Sequence, residues 1–165
     1  MAEAFNDRTL SQDKAARYAE VADEIAAVLE GEANLTARLS TVAAMLAQSF
    51  PAFFWTGFYL LDPDQPEELV VGPYQGTLGC LRIGLGKGVC GTAAAERRTV
   101  VVADVDAFPG HIACDSRSRS EIVVPLIDAA GRLLGVLDVD STERDAFDEV
   151  DALWLERILA QAFGR

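Results

Sequence analysis

The sequence predicts an α+β fold, a mainly antiparallel sheet with helices packed against it. Three observations predict it. Two helical apolar stripes precede any strand-like run, two pairs of β-prone runs are each joined by a short break, and a further helical stripe closes the chain. Strand and helix do not alternate throughout, which disfavours a doubly wound parallel sheet.

Residues 1–12 show no period and are expected to be flexible, and 165 residues at 50% apolar content suit one domain over 1–165 with a single sizeable core. From Asp13 to Leu29, Tyr18, Val21, Ala22, Ile25, Val28 and Leu29 recur at helical spacing, and Gly31 suits the stop. Asn34 can cap a second helix with the stripe Leu35, Leu39, Val42, Leu46 and Phe50, ended by Pro51. Trp55 to Leu61 is aromatic and β-prone, and Asp62-Pro-Asp-Gln-Pro66 breaks the run before Leu69-Val70-Val71, the pattern of a hairpin.

Cys80 to Leu85 reads as a short strand, Gly88 to Arg97 as a short helix and Thr99 to Ala103 as a strand. Asp104 to Ser120 has no apolar period of either kind, and so long an ordered loop is usually functional. Glu121 to Ile127 and Leu133 to Val139 flank Asp128-Ala-Ala-Gly-Arg132 as a second hairpin, expected at the centre of the sheet. Phe147, Val150, Trp154 and Ile158 mark the closing helix, with Asp148 and Glu149 near its positive N-terminal end.

Fourteen basic residues against 26 acidic ones give a net charge of −12, the wrong sign for nucleic acid or an anionic membrane surface. No run approaches the roughly 18 apolar residues needed to span a bilayer. The first residues lack a basic region followed by an apolar run, so a cytoplasmic location is expected. Thiols stay reduced there, and three cysteines are an odd number for a disulfide framework.

Gly86-Lys-Gly-Val-Cys-Gly91 formally matches G-x-G-x-x-G, yet the element order lacks the strand, helix and parallel strand of a dinucleotide site, so these glycines read as turn residues. Cys80, Cys90 and Cys114 have no close pairing of zinc-ligand type and His111 is the sole histidine, so no metal is expected. Cys90, in an Ala/Gly helix, suits a buried core position equally well. Cys114 lies in a polar loop with His111, Arg117 and Arg119, where positive charge and backbone donors favour a reachable thiolate.

On strands, Asp138 and Asp140 project to one face while Leu137 and Val139 fill the other, and Glu121 opens the neighbouring strand. Taken alone, these acids also fit solvated strand ends. Trp55 and Tyr59 share a face opposite Phe58 and Leu60, and by themselves fit core packing as well as a cage.

The segments Trp55-Thr-Gly-Phe-Tyr59, Gly88-Val-Cys-Gly-Thr-Ala93, Phe108-Pro-Gly-His-Ile-Ala-Cys-Asp-Ser116, Ser118-Arg-Ser-Glu-Ile-Val-Val-Pro125 and Gly135-Val-Leu-Asp-Val-Asp-Ser141 resemble the free methionine-(R)-sulfoxide reductases, a family built on a GAF domain. The likeness runs from about Gln48 to the closing helix and includes the spacing of all three cysteines. It implies a six-stranded antiparallel sheet with the N- and C-terminal helices on one face and a small-molecule pocket on the other.

It further implies that Cys114 attacks the substrate sulfur, that Cys80 resolves the resulting sulfenic acid as a Cys80–Cys114 disulfide, and that thioredoxin reduces that bond, with Cys90 an auxiliary thiol. Glu121, Asp138 and Asp140 are expected to hold the substrate ammonium, one of the three keeping a proton for the sulfoxide oxygen. Trp55 and Tyr59 are expected to wall the methyl and sulfur. No cofactor is called for, and a homodimer is a family-level expectation. Two other readings stay open at this point: a ligand-sensing GAF module without turnover, and a thiol sensor switched by peroxide.

Overall fold

The two N-terminal stripes form α1 (Lys14–Val28) and α2 (Leu35–Ser49) in a computed structural model that describes Phe5 and residues 8–164. Asp13 and Asn34 start them, their side-chain oxygens accepting from the backbone N–H groups of Ala16 and Ala37. Phe50 is already extended, as a residue before proline prefers, so α2 stops at Ser49. Of the first twelve residues, 1–4, 6 and 7 lie outside the described residues. Arg17 on α1 donates to the carbonyls of Ser11 and Ser49 at 2.7 and 3.0 Å, which fastens the entry segment across both helices.

The chain continues through β1 (Trp55–Asp62), β2 (Gln65–Gln75), β3 (Arg82–Gly84), α3 (Gly88–Glu96), β4 (Val100–Val102), a 3-10 turn at Val105–Ala107, β5 (Ser120–Ile127), β6 (Leu133–Ser141) and α4 (Glu149–Phe163). All pairings are antiparallel and the strand order is β3-β2-β1-β6-β5-β4. The centre is therefore the β1–β6 pair rather than the β5–β6 hairpin, because the N-terminal hairpin adds to the free edge of β6 while β4 adds to β5.

Pro66, read from sequence as a breaker, lies inside β2. The β1–β2 ladder pairs Asp62 with Gln65 and Leu61 with Leu69, so Pro66 falls in a bulge where its missing N–H costs no ladder bond. On β3–α3–β4 the expectation of turn glycines holds. β3 and β4 occupy opposite edges, and a Cβ on Gly91 would lie 2.3 Å from the Gly84 carbonyl oxygen. Glycine here lets the helix start dock against the strand end.

The alternation along each strand sorts side chains to two faces. Phe58, Ile122, Val124, Leu137 and Val139 pack with α1, α2 and α4, whereas Trp55, Tyr59, Val123 and Val136 pack with Val89, Cys90 and Ala93 of α3. α4 begins with a capping box between Asp148 and Asp151. Asp151 is buried and also accepts from the Tyr18 hydroxyl at 2.6 Å and Lys14 Nζ at 2.8 Å, joining α4 to α1. No helix among the described residues is long and apolar enough to cross a membrane.

Candidate active site

The face opposite α1, α2 and α4 holds a pocket whose floor is three adjacent strands. Asp140 on β6 pairs directly with Trp55 on β1 and with Glu121 on β5, and residues paired across a ladder project from the same face. Asp138 lies two residues back on β6 and lines the same cavity. α3 supplies Cys90, whose Sγ lies 3.8 Å from Glu121 Oε1. Glu121, 4% exposed, and Asp138, 5%, are buried rather than solvated, and Asp140 is half-buried. Asp138 Oδ1 is buried without a hydrogen-bond partner.

So many acidic groups away from water cannot all ionise. Burial first, and then the charge of Asp140, pushes the Glu121 carboxyl up to about 8. Burial also holds Asp138 and Asp140 well above the ordinary carboxylate range, followed by Glu121 acting on Asp138 and by Asp138 acting on Asp140. The Ser118 hydroxyl opposes that rise at Asp140. The Cys90 thiol is pushed up by burial and by Asp138 and Glu121, so it is a neutral thiol at physiological pH. Cys90, Glu121 and Asp138 place ligand atoms within 4.8 Å of one another, a spacing able to hold a cation, whether a metal ion or an ammonium group.

Two loops form the roof. Cys80 and Cys114 are joined by a disulfide with Cα atoms 5.5 Å apart, and Cys114 is exposed at the pocket rim. Thr77 Oγ1 donates to Asp115 Oδ2 at 2.7 Å, tying the loop before Cys80 to the loop that carries Cys114. Trp55 Nε1 donates to the Thr77 carbonyl at 2.9 Å, so the floor is tied to the same point. Gly79 closes over the aromatic pair; a Cβ there would come 2.9 Å from Trp55 and 3.1 Å from the Tyr59 hydroxyl. Trp55 and Tyr59 are stacked, with ring centroids 5.7 Å apart. The space left inside is about 40 Å³, room for about two or three waters.

A GAF domain family model matches residues 32–162. The free methionine-R-sulfoxide reductase of Escherichia coli (strain K12) is 42% identical over 144 residues, covering 87% of this chain and 85% of that protein. GAF domain-containing protein A of Dictyostelium discoideum is 49% identical, covering 88% and 90%. The X-ray structure of the free methionine-R-sulfoxide reductase from Neisseria meningitidis, in complex with its substrate, superposes with a TM-score of 0.89 at 50% identity and covers 94% of this chain and 91% of that one. The chain belongs to the free methionine-(R)-sulfoxide reductase family.

Within that family frame, Trp55, Tyr59, Cys90, Cys114, Glu121, Asp138 and Asp140 all line one cavity, and Cys80 is covalently attached to its rim. Arg117 and Arg119 do not serve the thiol as expected from sequence. Arg117 pairs with Asp115 at 2.8 Å and lies over the Phe54 ring, and Arg119 donates to the carbonyls of Ser116 and Ser118. Asp115 absorbs the positive charge that the linear sequence seemed to offer Cys114. Lys87, Leu78, Ile112 and Ser118 also line the cavity and were not singled out from sequence. Lys87 carried a weak signal, as the one cation inside the glycine turn; the others carried none, since only the fold brings their loops to the floor.

Proposed function

We propose that this protein reduces free methionine-(R)-sulfoxide to methionine, with Cys114 as nucleophile and Cys80 as the resolving thiol. The observation that carries this reading is the single cavity shared by Cys114 at its rim and three acids at its floor, Glu121 and Asp138 buried and Asp140 half-buried. A sulfoxide sulfur is electrophilic, but its oxygen leaves only when protonated, so thiolate and acid must face one space. Glu121, neutral below a pH of about 8, protonates the oxygen, with Asp140 beside it. The unpartnered oxygen of Asp138 accepts from the substrate ammonium.

The Cys114 thiolate attacks sulfur and the protonated oxygen passes to Cys114, releasing methionine and leaving a sulfenic acid. The Cys80 sulfur then bonds to Cys114 and the oxygen departs as water. In sum, one sulfoxide and two thiols give methionine, one disulfide and water. A protein dithiol of thioredoxin type takes over the disulfide, which calls for a reducing compartment such as the cytoplasm. Trp55 and Tyr59 wall the methyl group. In the S epimer, methyl and oxygen exchange places, setting oxygen against the rings and methyl against the acids. The remaining space is too small for an amino acid, so breaking the disulfide and parting the two loops precede binding.

The test incubates reduced protein with separated R and S free sulfoxides, a peptide-bound sulfoxide and peroxide, and quantifies methionine and disulfide. Only the free R epimer is expected to yield methionine. Disulfide formation by peroxide with no methionine from either epimer would replace this reading with that of a thiol sensor.

A further inference from the structure

His111 is the sole histidine of the chain, and the chemistry above gives it no task. It sits three residues before Cys114 and lines the cavity, with its side chain 13% exposed. Its Nε2 lies 3.6 Å from Oε2 of Glu121, whose side chain is 6% exposed. We propose that His111 acts through Glu121 as a positioning residue and proton relay, carrying protons from the pocket rim to the buried carboxyl in every turnover. This rests on the reading that Glu121 protonates the sulfoxide oxygen.

Glu121 gives up one proton per cycle and must recover it. Its other near neighbours are Cys90 on α3 and Asp138 on β6, both buried with it, and the half-buried Asp140 across the ladder. Cys90 and Asp138 can pass a proton to Glu121 but not fetch one from solvent. The titratable groups that share the cavity with His111 are Tyr59 on β1, Glu121 on β5, Asp138 and Asp140 on β6, Cys90 and Lys87 of the α3 segment and Asp115 on its own loop, and Asp106 of the 3-10 turn acts on it by charge. His111 approaches Glu121 from the rim and, unlike Asp140, can take up a proton on one ring nitrogen while giving one from the other.

Imidazole suits the task because it exchanges protons near neutral pH. Burial lowers its affinity for a proton and Asp106 partly restores it, so the ring is neutral at rest and able to accept. The balance closes. Cys114 loses its thiol proton on becoming the thiolate, and His111 takes up one proton at the rim while passing another from Nε2 to the Glu121 carboxylate. Glu121's own proton has gone to the sulfoxide oxygen. The second proton of the departing water comes from the Cys80 thiol when its sulfur bonds to Cys114.

The experiment measures multiple-turnover methionine release, with excess dithiothreitol as reductant, by the reduced full chain and by His111→Gln, in H2O and D2O and with added imidazole. Glutamine is polar and of similar length but cannot relay a proton. His111→Gln is expected to slow release by about 10²-fold, with a larger solvent isotope effect, partial rescue by imidazole and no further loss when combined with Glu121→Gln. A wild-type rate in His111→Gln overturns the relay, as does a loss that imidazole leaves untouched and that adds fully to that of Glu121→Gln. Failure of the parent reading looks different, because the unaltered protein then releases no methionine at all.

Discussion

Asp140 and Glu121 face each other directly across the β5–β6 ladder, and Asp140 faces Trp55 on its other flank. One register thus lays an aromatic wall and two carboxyls in a row across three strands, with Asp138 behind them. Moving β6 by a single residue would turn both aspartates into the helix-side core and bring Leu137 and Val139 to the pocket. The chemistry of the site is therefore a property of strand pairing before it is a property of any one side chain.

The pH response follows from Glu121. An acid whose folded pKa lies above its unfolded value holds its proton more tightly when folded. Glu121 therefore weakens the fold progressively as pH rises from its ordinary value of 4.5 towards about 8. Asp138 and Asp140 act in the same direction. Glu121→Gln is expected to raise the melting temperature at about pH 8, by the equivalent of roughly 1 kcal/mol or more, and to change it little at about pH 4. Activity of the unaltered protein is expected to fall as pH climbs through about 8. Melting curves at the two pH values, beside a pH–rate profile, check both halves.

The three thiols are expected to behave differently. Cys114→Ser should lose even the first turnover, whereas Cys80→Ser should still release about one methionine per protein and then stall. Equal loss of the first turnover in both variants would reverse or remove the assignment. Brief alkylation of the reduced protein should label Cys114 ahead of Cys90, because Cys90 is buried and its thiol is held neutral. Peptide mass mapping after a short iodoacetamide pulse reads this directly.

Gly91→Ala is expected to destabilise the protein by about 1–3 kcal/mol, because its Cβ would press on the Gly84 carbonyl and push α3 from the sheet. Since α3 carries Cys90, single-turnover release should slow in the same variant. Chemical denaturation and the release assay separate the two effects; unchanged stability would mean that the β3–α3 turn yields more easily than its contacts indicate.

Tyr18→Phe is expected to cost about 1–3 kcal/mol while leaving turnover intact, since it removes a donor to the buried Asp151 on the side of the sheet away from the pocket. Lys14 and the Asp148 backbone still satisfy the other oxygen, Oδ2. A comparable loss of methionine release at a temperature where the variant is folded would show that the two faces of the sheet are coupled.

Much of this was legible in the linear sequence. Tyr18, Val21 and Ile25 mark α1 to within a residue because a helix repeats its buried face, and Asn34 marks the start of α2 because its side chain replaces a missing turn. Asp138 and Asp140 share a face because a strand has period two. Pro66 misled because whether a proline breaks a strand depends on the partner, and the bulge opposite Leu61 and Asp62 belongs to β1 as much as to β2. Arg117 and Arg119 misled for a related reason: short sequence distance to Cys114 says nothing of which way a guanidinium turns, and Asp115 is nearer. Ser118 and Ile112 reach the cavity only through the path of their loop, which no local pattern encodes.

The disulfide closes both roof loops over a space that admits about two or three waters. On the proposed cycle the oxidised protein is consequently deaf to its substrate. Sulfoxide and reductant meet successive forms of the molecule and never contend for one, so steady-state plots at several reductant levels should give parallel lines. An excess of oxidised amino acid then cannot jam the recycling step.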